Sequence, residues 1–286
     1  MMALIPQKYV NSVVALGRPN DQGHADWCAS GFLYGHVLGA GPTEGTVNIN
    51  PYCITNRHVV SNIEVISVLL NTETDESKQV TANFGAGWPR CHETADLAAF
   101  PMPPQLLSQE EWMQRMFLSE HDVVTPSMAD DLGLTDGDSC FLLGFFPVWL
   151  IGEGKRSYPV VRHGTIARIR DYLNGHSDRV LIDSMNFPGN SGGPVVIKPE
   201  AMSIKGTQSP SRSALLGVIS SYIYHEEMAY SRTGEARISF RENSGLAEIV
   251  PAAILADWIA SFPENTGEEV AGFIEKPQST PATDSE

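Results

Sequence analysis

The stretch Phe187-Pro-Gly-Asn-Ser-Gly-Gly-Pro194 sets three glycines around one serine, directly before the apolar run Val195–Ile197. Glycine lets a backbone turn tightly and lets another chain come close. A serine in such a turn stands exposed, with backbone N–H groups beside it aimed into one small space. The oxyanion hole, a cradle for a developing negative oxygen, is expected over Gly189, Asn190 and Ser191, with the N–H groups of Gly189 and Ser191 as the donors. The string is therefore a turn that feeds a short strand and presents Ser191 as a nucleophile, and it is the fixed point from which the rest is read.

A serine hydroxyl is a weak nucleophile and needs a base. Of the eight histidines, His58 has the most suitable context. It closes the apolar stretch Tyr52-Cys-Ile-Thr-Asn-Arg-His-Val-Val60 and is expected at a strand end with its ring in a restricted orientation. The base in turn needs a carboxylate that fixes its tautomer and balances the transient imidazolium. In Thr94-Ala-Asp-Leu-Ala-Ala-Phe100, Asp96 enters an otherwise apolar strand, where an unpaired carboxylate is costly. Pairing with His58 removes that cost.

Outward from these strings, short apolar or alternating runs recur between Gly, Pro, Asn and Asp: Ser12–Leu16, Ser30–Val37, Ile63–Leu70, Gln79–Asn83, Ser139–Phe146, Pro159–Ile169, Arg179–Asp183 and Ala214–Tyr224. Their β-branched and aromatic content reads as strands of an all-β chain. Two helices are expected. One follows the capping box Ser108-Gln-Glu-Glu111, and the other starts at Pro251 with Ile254, Leu255, Trp258 and Ile259 as its apolar stripe. Pro199–Ser213 and His225–Ser244 read as exposed loops, the latter with one strand at Arg237–Phe240.

The order His58, Asp96, Ser191, in these three settings, resembles the trypsin-like (chymotrypsin-fold) serine peptidases. Asp183-Ser-Met-Asn-Phe-Pro-Gly-Asn-Ser-Gly-Gly193 and Gly137-Asp-Ser-Cys-Phe-Leu-Leu-Gly-Phe-Phe-Pro147 are similar to stretches of the bacterial Deg/HtrA-like protease domain. His163-Gly-Thr-Ile-Ala-Arg168, Gly217-Val-Ile-Ser220 and Ala247-Glu-Ile-Val-Pro-Ala-Ala253 fall where that family places later strands and its C-terminal helix.

The resemblance implies two six-stranded antiparallel β-barrels with a C-terminal helix, together a peptidase domain over residues 1–262. The first barrel is expected at about 8–101, a linker with a helix at 102–130, the second barrel at about 131–247 and the helix at 251–262. Too few residues follow for a PDZ module. Asn190 stands where digestive members carry an aspartate that pairs with a newly cut N-terminus, so activation by cleavage is not expected. The resemblance further implies protein or peptide substrates, no metal and no cofactor. It places the pocket for the residue before the cut among Met185, Asn186, Phe187, Ser220, Ser221 and Tyr222, with Ser220–Tyr222 pairing the substrate backbone. With no acid at Met185, a small or medium apolar residue is expected there; an acid from Glu226 or Glu227 reaching in would favour Lys or Arg instead. A catalytically silent or latent trypsin-fold protein, acting as a binding or regulated module, is the alternative. The order Ser, acid, His expected of an α/β-hydrolase is absent.

Composition sets limits. The 286 residues are 42% apolar, with a formal net charge of −15. Six acids against one base after Phe262 mark an acidic tail, 263–286, expected to stay mobile. This balance argues against nucleic acid and anionic membranes as partners. The N-terminus lacks a basic stretch leading into an apolar core, which points to a cytoplasmic location, with a bacterial source implied by the resemblance. Cys28, Cys53, Cys91 and Cys140 have no Cys-x-x-Cys or zinc spacing and read as reduced core thiols.

Overall fold

The computed structural model describes residues 5–21, 23–42, 46–71, 76–85, 87–102, 117–146, 148, 151, 156–200, 209–262 and 273–275. A short helix α1 (Gln7–Asn11) leads into β1 (Val13–Pro19), β2 (Ala25–Ala40) and β3 (Val47–Thr55). After the one-turn helix α2 (Arg57–Val60) come β4 (Val65–Asn71), β5 (Ser77–Asn83), β6 (Arg90–Cys91) and β7 (Ala98–Pro101). With β14 (Phe273–Glu275) these strands form an eight-stranded sheet in the order β14-β5-β4-β1-β2-β3-β7-β6. The second half holds α3 (Pro126–Leu132), β8 (Ser139–Gly144), β9 (Val160–Arg168), α4 (Arg170–Leu173), β10 (Val180–Asp183), β11 (Pro194–Ile197), β12 (Leu215–Tyr230) and β13 (Ala236–Pro251), followed by α5 (Ala252–Ala260). Its six strands close as β10-β13-β12-β11-β8-β9. This is the trypsin-like pair of barrels with a C-terminal helix.

The central strands read as unbroken apolar runs because both of their faces are buried. In β1, Val14 and Leu16 point into the first barrel with Leu33, Cys53, Val68 and Phe100, while Val13 and Ala15 point into the seam between the halves. In β11, Val195 and Ile197 fill the second barrel with Ile166, Ile182 and Ile249, while Val196 turns to the same seam. The period of two thus builds three cores from two barrels. Leu255 and Ile259 of α5, four apart and fully buried, clamp onto the seam core.

Three expectations change. His225–Ser244 is not a loop: β12 and β13 stay paired from Gly217↔Pro251 out to Tyr230↔Ala236, forming a long hairpin. The acidic tail contains β14, which pairs antiparallel with Val80–Ala82 of β5 through Phe273, Ile274 and Glu275. The first sheet has eight strands rather than six, the extra ones being the short edge strands β6 and β14. The helix expected after Ser108 lies outside the described residues.

All four cysteines are free, but they are not all core residues: Cys53 and Cys140 are buried, whereas Cys28 and Cys91 are exposed. Burial pushes the Cys140 thiol up to about 12 and raises that of Cys53 further. The thiolate is the reactive form. A thiol-reactive chromophore at pH 8 should therefore titrate two groups in the native protein and four in denaturant. Four fast groups in the native state would contradict the buried assignment.

Candidate active site

The carboxylate comes first, because its partners fix the rest. Asp96 lies two residues before β7 and is held by both oxygens. Its Oδ2 is 2.7 Å from His58 Nδ1 and its Oδ1 accepts the His58 backbone N–H at 3.1 Å. The Ser220 hydroxyl donates to Oδ2 at 3.0 Å. The loop is pinned as well: Asn56 Nδ2 donates to the Asp96 carbonyl at 2.7 Å, and Arg57 donates to the His92 and Glu93 carbonyls. Burial pushes the Asp96 carboxyl up. The side-chain bond and charge of His58, the His58 N–H and the Ser220 hydroxyl outweigh it, leaving the carboxyl below the ordinary carboxylate range. It is thus the ionised form that the site holds.

His58 sits on α2, one turn beyond β3 rather than on the strand end itself. Its side chain is 50% exposed and that of Asp96 24%, so the imidazole edge away from Asp96 is open. Among the described residues, His58 Nε2 has no hydrogen-bond partner.

Ser191 is anchored through its backbone by β2, and among the described residues no hydrogen bond joins its hydroxyl to His58. The Ser30 N–H donates to the Ser191 carbonyl at 2.9 Å, and the Thr55 hydroxyl, three residues before His58, donates to the Ser30 carbonyl at 2.9 Å. Gly192 fits between them. A Cβ there would lie 2.3 Å from the Ser30 carbonyl oxygen and 2.4 Å from Thr55 Oγ1, and its φ of +85° already favours glycine. On the far side, Gly192 N–H donates to Ile219 O at 2.9 Å and Ile219 N–H to Gly193 O at 2.8 Å, next to Ser220 and hence Asp96. Three distant segments are thereby tied around one point.

The turn before Ser191 closes through Asn190 N–H to Phe187 O at 3.1 Å, with Gly189 at φ +109°. This corrects one expectation. Asn190 is part of the string, but its N–H is committed to the turn and cannot serve an oxyanion; its side chain is buried against Gly144. Among the described residues, the N–H groups of Gly189 and Ser191 donate to nothing else, so both stay available. The Ser30 hydroxyl, which the sequence did not single out, braces the turn by donating to Gly189 O at 2.7 Å and accepting Phe145 N–H at 2.8 Å.

The six expected pocket residues divide. Met185 and Tyr222 are 48% and 40% exposed. Asn186 is buried, with its Nδ2 donating to Ser221 O at 3.1 Å and its carbonyl accepting from Asn243. Phe187 stacks on Phe146, ring centroids 4.7 Å apart, under the Arg162 guanidinium. The hydroxyls of Ser220 and Ser221 are engaged by Asp96 and Glu248 rather than facing a ligand. Glu226 is tied to Ser239 and Arg241 on the hairpin, and Glu227 to His225.

Among the described residues there is no cluster of three or more His, Cys, Asp or Glu able to hold a metal. No described helix is long and apolar enough to cross a membrane.

A search of curated proteins finds no match. Among solved structures, the chain is similar to the MamO protease domain of Magnetospirillum magneticum in its apo form, with 18% identity over 88% of this chain and 97% of that one, at a TM-score of 0.48. The family model for the trypsin-like peptidase domain matches residues 29–199, more than half of the sequence. The chain belongs to the trypsin-like peptidase domain family.

Proposed function

We propose that this protein is a serine endopeptidase acting through Ser191, His58 and Asp96. The reading rests above all on the doubly held carboxylate. Asp96 grips both the ring and the backbone of His58 at 2.7 and 3.1 Å, which makes Nδ1 the donor and leaves Nε2 as a free base. In the proposed reaction Ser191 Oγ attacks the peptide carbonyl carbon as Nε2 takes the hydroxyl proton. The carbonyl π pair moves to oxygen, which the Gly189 and Ser191 N–H groups receive. The tetrahedral adduct collapses as the protonated His58 gives its proton to the leaving amine, and an acyl-enzyme remains. Water then attacks that ester with His58 again as base, releasing the acid and restoring Ser191. The substrate backbone pairs with Ser220–Tyr222. The residue before the cut is small or medium and apolar: Met185 contributes no acid, Glu248 is engaged by Ser221 and Arg179, and Glu226 and Glu227 are engaged along the hairpin.

A fluorophosphonate probe should form a covalent adduct that peptide mapping assigns to Ser191, and the protein should cleave unfolded casein. An adduct on another serine, or none on a folded protein, would refute the reading.

A further inference from the structure

A second carboxylate lies close behind Asp96, and the proposed reaction makes no use of it. Glu248 interrupts the apolar run Leu246-Ala-Glu-Ile-Val250 of β13, between Ala247 and Ile249, both fully buried in the second barrel. Its own side chain takes the opposite face of the strand and is 17% exposed. A carboxylate so placed is costly unless it is held. Glu248 is held by both oxygens: Oε1 accepts from Arg179 at 2.6 Å, and Oε2 accepts the Ser221 hydroxyl at 2.7 Å. The clamp spans three neighbouring strands. On one side Glu248 stands opposite Leu181 of β10, two residues after Arg179, and on the other it stands opposite Ser221 of β12.

The register of β12 shows what the clamp acts on. Ile219 stands opposite Ile249 and Ser221 opposite Glu248, so β12 advances two residues for one of β13, and Ser220 is the extra residue of a β-bulge. Bulges beside active sites re-aim side chains. An unbulged pairing would set Ser220 opposite Glu248, where Ser221 now stands. As folded, Ser220 is buried and gives its hydroxyl to Asp96 Oδ2 at 3.0 Å. Two adjacent serines thus serve two carboxylates, one each. Asp96, Ser220, Glu248, Arg179 and Asp178 line one small cleft, and Arg179 is the one base among its lining residues. The hydrogen bond and charge of Glu248 raise the Arg179 guanidinium above its ordinary value, with weaker contributions from Asp178 and Asp96. Arg179 therefore balances Glu248 and keeps a second bare negative charge away from Asp96. Such a pair is a weak source of stability compared with apolar residues, and fixing an orientation is the better account of it.

We propose that Glu248, held by Arg179, is a positioning residue for the triad: through the Ser221 hydroxyl it locks the bulge that turns Ser220 onto Asp96. The proposal rests on the peptidase reading. Neither Glu248 nor Arg179 touches the reacting atoms. Glu248 fixes Ser221, Ser221 fixes the path of β12, and that path decides whether the Asp96 carboxylate receives the Ser220 hydroxyl. Without that donor, Oδ2 is held by His58 Nδ1 alone, and the carboxylate has more freedom to turn away from the ring.

The test is a double-mutant cycle. Glu248→Ala should lower kcat on a cleavable peptide about fivefold, and Ser220→Ala about tenfold. Added to Ser220→Ala, Glu248→Ala should cost less than about a further twofold, because the bond that Glu248 protects is already gone. Glu248→Gln keeps an oxygen for the Ser221 hydroxyl and should retain at least about half of the wild-type kcat. If Glu248→Ala does not fold, Ser221→Ala removes the same bond from the other side and takes its place in the cycle. Multiplying losses, about fiftyfold in the double variant, would overturn the proposal. So would Glu248→Gln falling as low as Glu248→Ala. The same cycle can be read without turnover on the nuclear magnetic resonance of the His58 Nδ1 proton. Glu248→Ala and Ser220→Ala should shift it in the same direction, and the double variant no further than Ser220→Ala alone. Additive shifts, or a resonance that Glu248→Ala leaves in place, would overturn the proposal. A wild-type protein that neither cleaves peptides nor labels at Ser191 would sink the peptidase reading, and the proton resonance would then decide on its own whether the clamp governs Asp96.

Discussion

Ser191→Ala should lower kcat on a cleavable peptide by about a million-fold and abolish fluorophosphonate labelling, while thermal stability stays within about 1 kcal/mol of wild type. The size of the kinetic loss follows from the covalent route. Without the oxygen there is no acyl-enzyme, and His58 can only activate water in a site shaped for a fixed nucleophile. The smallness of the stability change follows from how the residue is held. Ser191 is fixed through its carbonyl, which accepts the Ser30 N–H, and through its neighbours Gly192 and Gly193, which bond to Ile219. None of these contacts uses the hydroxyl. Kinetics on the purified variant against one peptide, with melts in parallel, measures both. Cleavage that survives the substitution at more than about a hundredth of the wild-type rate would place the nucleophile elsewhere.

The contrast between backbone anchoring and side-chain chemistry also explains how much of this molecule could be read before folding. The serine string is legible because its glycines answer local needs. Gly192 has no room for a methyl between Ser30 and Thr55, and Gly189 adopts a backbone angle that side chains avoid. Asp96 is legible because a carboxylate entering an apolar strand demands a partner. Ser30 carries no such mark. It looks like one small residue inside a buried strand, and its task of joining Gly189 to Phe145 exists only once β2 meets the second barrel. From sequence, Ser220 reads as a substrate contact because of the strand it lies on. Which way its hydroxyl turns depends on Asp96, 124 residues earlier in the chain.

The hairpin arm departs from the sequence expectation for a related reason. Its strands carry His225-Glu-Glu and Arg237 to Glu242, and their polarity mimics a solvent loop. The apolar alternation Tyr224, Met228, Tyr230 is broken by Glu226, and only the cross-strand Arg241 shows that the break is neutralised. The turn itself is ordinary once seen: Gly234 at φ +82° donates to Ser231, and Ser231 N–H donates to Glu235. Charge pairing between strands is invisible to a reading that moves along one strand at a time.

Asp96→Asn should cut kcat by about ten-thousand-fold, close to 5.5 kcal/mol of transition-state stabilisation, although the shape of the side chain is unchanged. Both orientations of the amide are wrong. If its oxygen faces His58 Nδ1, its NH2 replaces Oδ1 and points donor to donor at the His58 backbone N–H, now 3.1 Å from an acceptor. If its NH2 faces Nδ1, the ring must accept there and carry its proton on Nε2, the nitrogen needed as the base. Ser220→Ala removes one of three donors to the carboxylate and should cost far less, about tenfold. Stability should separate the two as pH changes. Because the Asp96 carboxyl is held below its ordinary value, its charge contributes stability that is present above the unfolded-state value and is lost as pH falls through the folded one. The stability gap between wild type and Asp96→Asn should therefore be widest near neutral pH and close on acidification, whereas a gap that stays constant down to pH 3 would show that the fold does not favour the ionised carboxylate.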